Sequence, residues 1–149
     1  MSHDLIYLTE RINAQVIEHC LLLPLSAKER TQLRGKRSTL DGIDVILNLP
    51  RGGGRLIPGE VLKSENSHFF VTIEAAHEDV IRISSENRLQ LLKAAYHLGN
   101  RHVEIELHDE QLYLLNDLVM KKMLEMQGFT IEIFKRPFSP EIGAYEQEV

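Results

Sequence analysis

The apolar residues of this chain change their spacing near residue 76, and that change constrains the fold more than any other feature. Before it, apolar side chains alternate with polar ones between turns rich in glycine and proline. After it, alternating stretches are separated by stretches of helical period. The two periods demand different partners for their apolar faces, so the chain is read as α+β. A small N-terminal β domain spans 1–75 and a second domain spans 76–149, with the joint at Ala75-Ala76.

In the first half, Ile43, Val45, Leu47 and Leu49 fall on one face of a strand over Gly42 to Leu49. The stretch from His68 to Glu74, rich in β-branched and aromatic residues, predicts another strand. Leu5 to Leu8 and Gly59 to Lys63 are weaker strand candidates. Pro50 to Arg55 and Pro58-Gly59 read as turns, because proline fixes φ and glycine permits positive φ.

In the second half, Asp79 to Ser84 predicts a strand. Ser84-Ser85 then offers an N-cap, Leu89, Leu92 and Tyr96 follow at helical spacing, and Gly99 stands where a terminating glycine belongs. Val103, Ile105 and Leu107 predict a strand, and Gln111 to Leu114 a second one after the turn at His108 to Glu110. Asn116-Asp117 can cap a helix carrying Val119, Met120, Met123 and Leu124, stopped at Gly128. Phe129, Ile131 and Ile133 close the pattern as a last strand. The order βαββαβ is the ferredoxin-like arrangement.

Apolar residues make up 43% of the chain and charged ones 26%, enough apolar surface for a core and against wholesale disorder. No apolar run approaches the ~18 residues of a membrane span, and Met1 to Glu10 lacks the form of a secretory signal. Cys20 is the single cysteine, which excludes an internal disulfide and makes a reducing cytoplasm the expected location. The net charge of −5 lies entirely in residues 76–149, since residues 1–75 hold nine basic and nine acidic side chains. An acidic chain is a poor nucleic-acid ligand. The basic residues Lys28, Arg30, Arg34, Lys36 and Arg37 lack interleaved aromatics, so they suit a solvated face or an acidic protein partner.

The run Gly52 to Gly54 is followed by Arg55-Leu56 rather than the Lys and Ser/Thr of a phosphate-binding loop, and reads as a turn. Cys20 has only His19 nearby, without a visible oxyanion site, and reads as structural. Seven histidines remain: His3, His19, His68, His77, His97, His102 and His108. Neutral imidazole is a ligand for nickel, copper and zinc. Their spacing matches no closed zinc site and no hydrolytic cluster of three ligands with a general base. His97 falls in a last helical turn, where histidine also complements the helix dipole. His102 opens the next strand, His77 lies in the joint, and His108 sits beside Asp109 and Glu110 as at best a secondary cation site.

The segment Tyr96-His97-Leu98-Gly99-Asn100-Arg101-His102 resembles the signature of UreE-type urease accessory proteins, which are nickel metallochaperones. Leu49-Pro50-Arg51-Gly52, Pro58 to Leu62, Pro137 to Glu141 and Gly143-Ala144-Tyr145 resemble further family motifs, in the same order along nearly the whole chain. The resemblance implies a partner-docking N-terminal domain and a dimerising, metal-binding C-terminal domain. It implies no catalysis. It implies that His102 of each protomer binds Ni2+ at a dimer interface, with Asp117 and His97 as weaker candidate ligands. Copper and zinc ions are expected competitors in vitro. The implied partners are a second copy, in a homodimer or a pair of dimers, then apo-urease and other urease accessory proteins including a GTPase. Neither nucleic acid nor membrane is among them. Asn116, Asp117 and Leu118 stand where some family members carry histidines, and the chain ends Glu146-Gln147-Glu148-Val149 without the histidine-rich tail of many members. One interfacial nickel per dimer is therefore expected, rather than storage. The classes left beside this one are a non-metal adaptor and a metal-dependent hydrolase.

Overall fold

A computed structural model describes residues 5–13, 20–66 and 68–143. His3, His19, Ala144, Tyr145 and the last four residues lie outside them. The chain divides into two compact units, one holding the residues up to Ala75 and one spanning Ala76–Ile142.

The first unit is a six-stranded sheet. Its strands are β1 (Tyr7–Ile12), β2 (Leu21–Leu25), β3 (Arg34–Ser38), β4 (Asp44–Asn48), β5 (Val61–Ser64) and β6 (Phe70–Ala75), in the order β2-β6-β5-β1-β4-β3. The alternation over 43–49 holds, with Val45, Leu47 and Leu49 buried against Leu8, Leu23, Leu62, Val71 and Ile73. Side chains of this size contribute roughly 1.5–3 kcal/mol each when fully buried. Ile43, at the strand's open end, is 36% exposed. Two strands were not legible from period. β2 carries Pro24, which fits because β2 is an edge strand paired only with β6. β3 (RGKRS) has no apolar side chain at all and is held by its register with β4.

The glycine run is shaped by an arginine. Arg11 makes a bidentate pair with Glu60 at 2.8 and 2.7 Å and also donates to the carbonyls of Gly54 (2.8 Å) and Arg55 (3.1 Å). A Cβ at Gly53 would stand 2.7 Å from Arg11 Nη1. The glycine there answers a close approach, while Gly52 (φ +95°) and Gly54 (φ +77°) supply the positive φ of the expected turn. The five basic residues differ in their surroundings. Arg30 is buried and donates to the Leu25 carbonyl at 2.8 Å. Arg37 bonds Gln32 Oε1 and the Lys36 carbonyl. Lys28, Arg34 and Lys36 alone of the five are exposed.

The second unit runs β7 (His77–Ser84), α1 (Arg88–Asn100), β8 (Glu106–Leu107), β9 (Gln111–Leu115), α2 (Leu118–Met126) and β10 (Thr130–Pro137). The sheet order β10-β7-β9-β8, antiparallel at every pairing, is the ferredoxin-like order. Ile81, Ile83, Leu112 and Leu114 meet Leu91, Ala94, Leu98 and Leu124 of the helices in one core.

Several local expectations need correction. The α1 cap is Asn87, whose Oδ1 accepts from Leu89 N at 3.0 Å; Ser85 instead accepts from Asn87 N, one step earlier. Two apolar stripes run along α1, and the buried one is Leu91, Ala94 and Leu98. Leu89, Leu92 and Tyr96 are 55%, 67% and 70% exposed. Of the expected strand at 103–107 only Glu106–Leu107 pairs. On α2, Val119 is 65% exposed while Leu124 is buried with Met120 and Met123 against it. Among the described residues no helix is long and apolar enough to cross a membrane.

Candidate metal centre

The antiparallel order places both helix–loop junctions of interest together. β7 runs away from His77, so α1 returns toward that end of the sheet and finishes there. β9 also finishes there, Leu115 lying opposite Val80 and Asn116 N donating to the Asp79 carbonyl at 2.9 Å. The C-terminus of α1 with His97 and His102, the N-terminus of α2 with Asp117, and His77 therefore share one end of the second unit. His108, in the β8–β9 turn, belongs to the opposite end.

The end of α1 is built as follows. Arg101 is its C-cap, His102 N donates to the Gly99 carbonyl (3.0 Å), and Val103 N reaches back to the Leu98 carbonyl (3.0 Å). This pair of bonds is a Schellman motif, which needs a left-handed residue at the position after the cap. That residue is His102, with φ +59°, the one non-glycine residue with positive φ among the described residues. Gly99, expected to fill this role, lies three residues earlier inside the helix, where its φ is not positive. α2 ends in the same motif, with Gly128 N on the Glu125 carbonyl (3.0 Å) and Phe129 N on the Leu124 carbonyl (3.1 Å). There the left-handed position is taken by Gly128 at φ +86°. One fold thus ends two helices alike, once with the residue that suits the conformation and once with a histidine. Non-glycine residues in such conformations concentrate at functional sites.

The His102 side chain is exposed. His97, also exposed, packs edge-on against Tyr96 with ring centroids 5.5 Å apart. Asp117 caps α2, its Oδ1 accepting from Met120 N at 3.0 Å, which leaves the other carboxylate oxygen uncommitted by that bond. His108 is engaged with Glu106, its Nε2 2.5 Å from a carboxylate that also faces Arg136 at 3.0 Å and accepts from Ser139 N at 2.7 Å. Among the described residues no group of three or more His, Cys, Asp or Glu is close enough to hold a metal ion. At this end, too, fewer than three such side chains of the described residues come together. Sequence reasoning singled out His102 but read Val103 only as a strand residue, whereas its N–H closes the helix end on the Leu98 carbonyl and its side chain packs on the core.

The comparisons with known proteins agree with one another. Residues 78–149 match the family described as UreE urease accessory protein, C-terminal domain. The urease accessory protein UreE of Parasynechococcus marenigrum (strain WH8102) is 45% identical over 145 residues, covering 97% of this chain and 96% of the relative. The protein of the same name from Synechococcus sp. (strain CC9311) is 49% identical over 123 residues, covering 83% and 79%. That from Thermosynechococcus vestitus is 42% identical over 125 residues, covering 84% and 86%. Identity of this level over nearly the full length of both chains means that the chain belongs to the UreE urease accessory protein family.

Proposed function

We propose that this protein serves urease maturation as a nickel metallochaperone, without catalysis of its own. It carries Ni2+ to apo-urease in the cytoplasm, in company with other urease accessory proteins including a GTPase. The observation that carries this reading is His102: an exposed imidazole held in a left-handed conformation at a helix end. A single imidazole is too little for a Ni2+ ion, whose square-planar or larger shell takes about four or more donors. A homodimer solves this economically, because a residue near a two-fold axis is supplied twice from one patch. Two imidazoles then leave positions for water or mobile ligands. Asp117 and His97, at the same end of the unit, are weaker donors to that shell. An open shell suits an ion that must leave, as the contrast between catalytic and structural zinc sites illustrates. Copper and zinc compete for such donors, so selectivity for nickel comes from partners and metal supply. The N-terminal unit, with no helix longer than one short turn among its described residues, is the part that docks protein partners.

Equilibrium dialysis of the size-fractionated protein against nickel tests this. One tightly held ion per two chains is expected, and none in His102→Ala, which keeps the fold because the side chain is exposed. A protein that stays monomeric with nickel present, or a His102→Ala variant that binds as tightly as the parent, overturns the assignment.

A further inference from the structure

The geometry points to Val103 as the positioning residue for His102, and this rests on the nickel reading above. Histidine enters the left-handed region more readily than most side chains but, unlike glycine, still at a conformational cost. His102 adopts it because Val103 must do two things at once: its N–H reaches the Leu98 carbonyl at 3.0 Å, and its side chain packs against the core cluster that contains Leu98. Both are met only if the intervening residue turns left-handed. The backbone dihedrals of residue 102 set the direction in which its Cα–Cβ bond leaves the helix end. The apolar anchor one residue later therefore aims the imidazole. Phe129 does the same for α2, packing on the same cluster with its N–H on Leu124, but it turns a glycine and aims nothing.

Without the anchor, residue 102 has no reason to stay left-handed, and the fraction of chains able to present the imidazole falls. Apparent affinity falls by that fraction, and a shared site incurs the loss once per copy. Nickel binding to the full-length protein is read by titration calorimetry and by the visible absorption band of the bound ion. Val103→Ser is expected to bind about tenfold or more weaker with a shifted band, and Val103→Ile to bind as the parent does. Phe129→Ser, which removes the matching anchor of α2, is expected to lower the melting temperature similarly and leave nickel affinity unchanged. Should Val103→Ser fail to fold, Val103→Ala carries the same expectation with a smaller shift. Parental binding by Val103→Ser (or by Val103→Ala where it stands in), or equal weakening by Val103→Ser and Phe129→Ser, overturns the role of Val103. His102→Ala run alongside separates the cases: loss there with parental binding in Val103→Ser sinks this inference alone, whereas retention there sinks the nickel site itself.

Discussion

Replacing His102 by glycine is expected to stabilise the protein while abolishing nickel binding. The backbone at residue 102 has φ +59°, where a Cβ crowds the following carbonyl. For an L-residue that conformation costs roughly 1–2 kcal/mol. Glycine removes the cost but brings back about 0.4–1 kcal/mol of unfolded-chain entropy, so the net gain is about 0.5–1 kcal/mol. In a domain the size of the second unit, 1 kcal/mol moves the midpoint by roughly 4–8 °C, so a rise of about 2–8 °C is expected. The assay is a thermal melt of the metal-free protein at one fixed concentration, since association itself moves the midpoint. Gly128 supplies the calibration. Its φ is +86° and a Cβ added there meets nothing within 4 Å, so Gly128→Ala reports the conformational cost without a clash. Gly128→Ala should lower stability by about 1 kcal/mol. A His102→Gly protein that melts at or below the parent, beside a Gly128→Ala protein that melts lower, would refute the claim that His102 is strained.

Asp117→Asn should leave stability within about 0.5 kcal/mol, because Asn caps a helix as well as Asp; a nickel titration of that variant should show a smaller loss than His102→Ala, the carboxylate being a secondary donor. Gly53→Ala should destabilise by about 1–2 kcal/mol in urea unfolding, because the new methyl displaces an Arg11 guanidinium held by charge-assisted hydrogen bonds. Asp44 is held below the usual carboxylate range by the Ser38 hydroxyl and then by Lys36. With a depressed folded value, its contribution is present above the ordinary carboxylate range and is lost as pH falls through the folded value. Ser38→Ala should move the Asp44 titration upward in an NMR pH series, and an unchanged curve would show that the hydroxyl is not the cause.

Much of the fold and the candidate site was legible because the signals are local. Alternation at Val45, Leu47 and Leu49, the cap at Asp117, the stop at Gly128 and the βαββαβ order each follow from a few neighbouring residues and the period of a strand or helix. His102 stood out through its surrounding motif. What failed had a non-local cause. β3 has no apolar pattern of its own and is a strand because β4 supplies its hydrogen bonds. α1 carries two apolar stripes, and only the sheet beneath it decides that Leu91, Ala94 and Leu98 are the buried one, leaving Leu89, Leu92 and Tyr96 outside. Gly99 looked like the helix terminator because glycine tolerates positive φ. The terminator is residue 102, because the helix continues until Val103 can bury its side chain and satisfy the Leu98 carbonyl together. Local order along the chain thus determined which elements exist. The choice of faces, and the strained backbone that presents His102, came from burial and backbone pairing, which depend on residues distant in sequence.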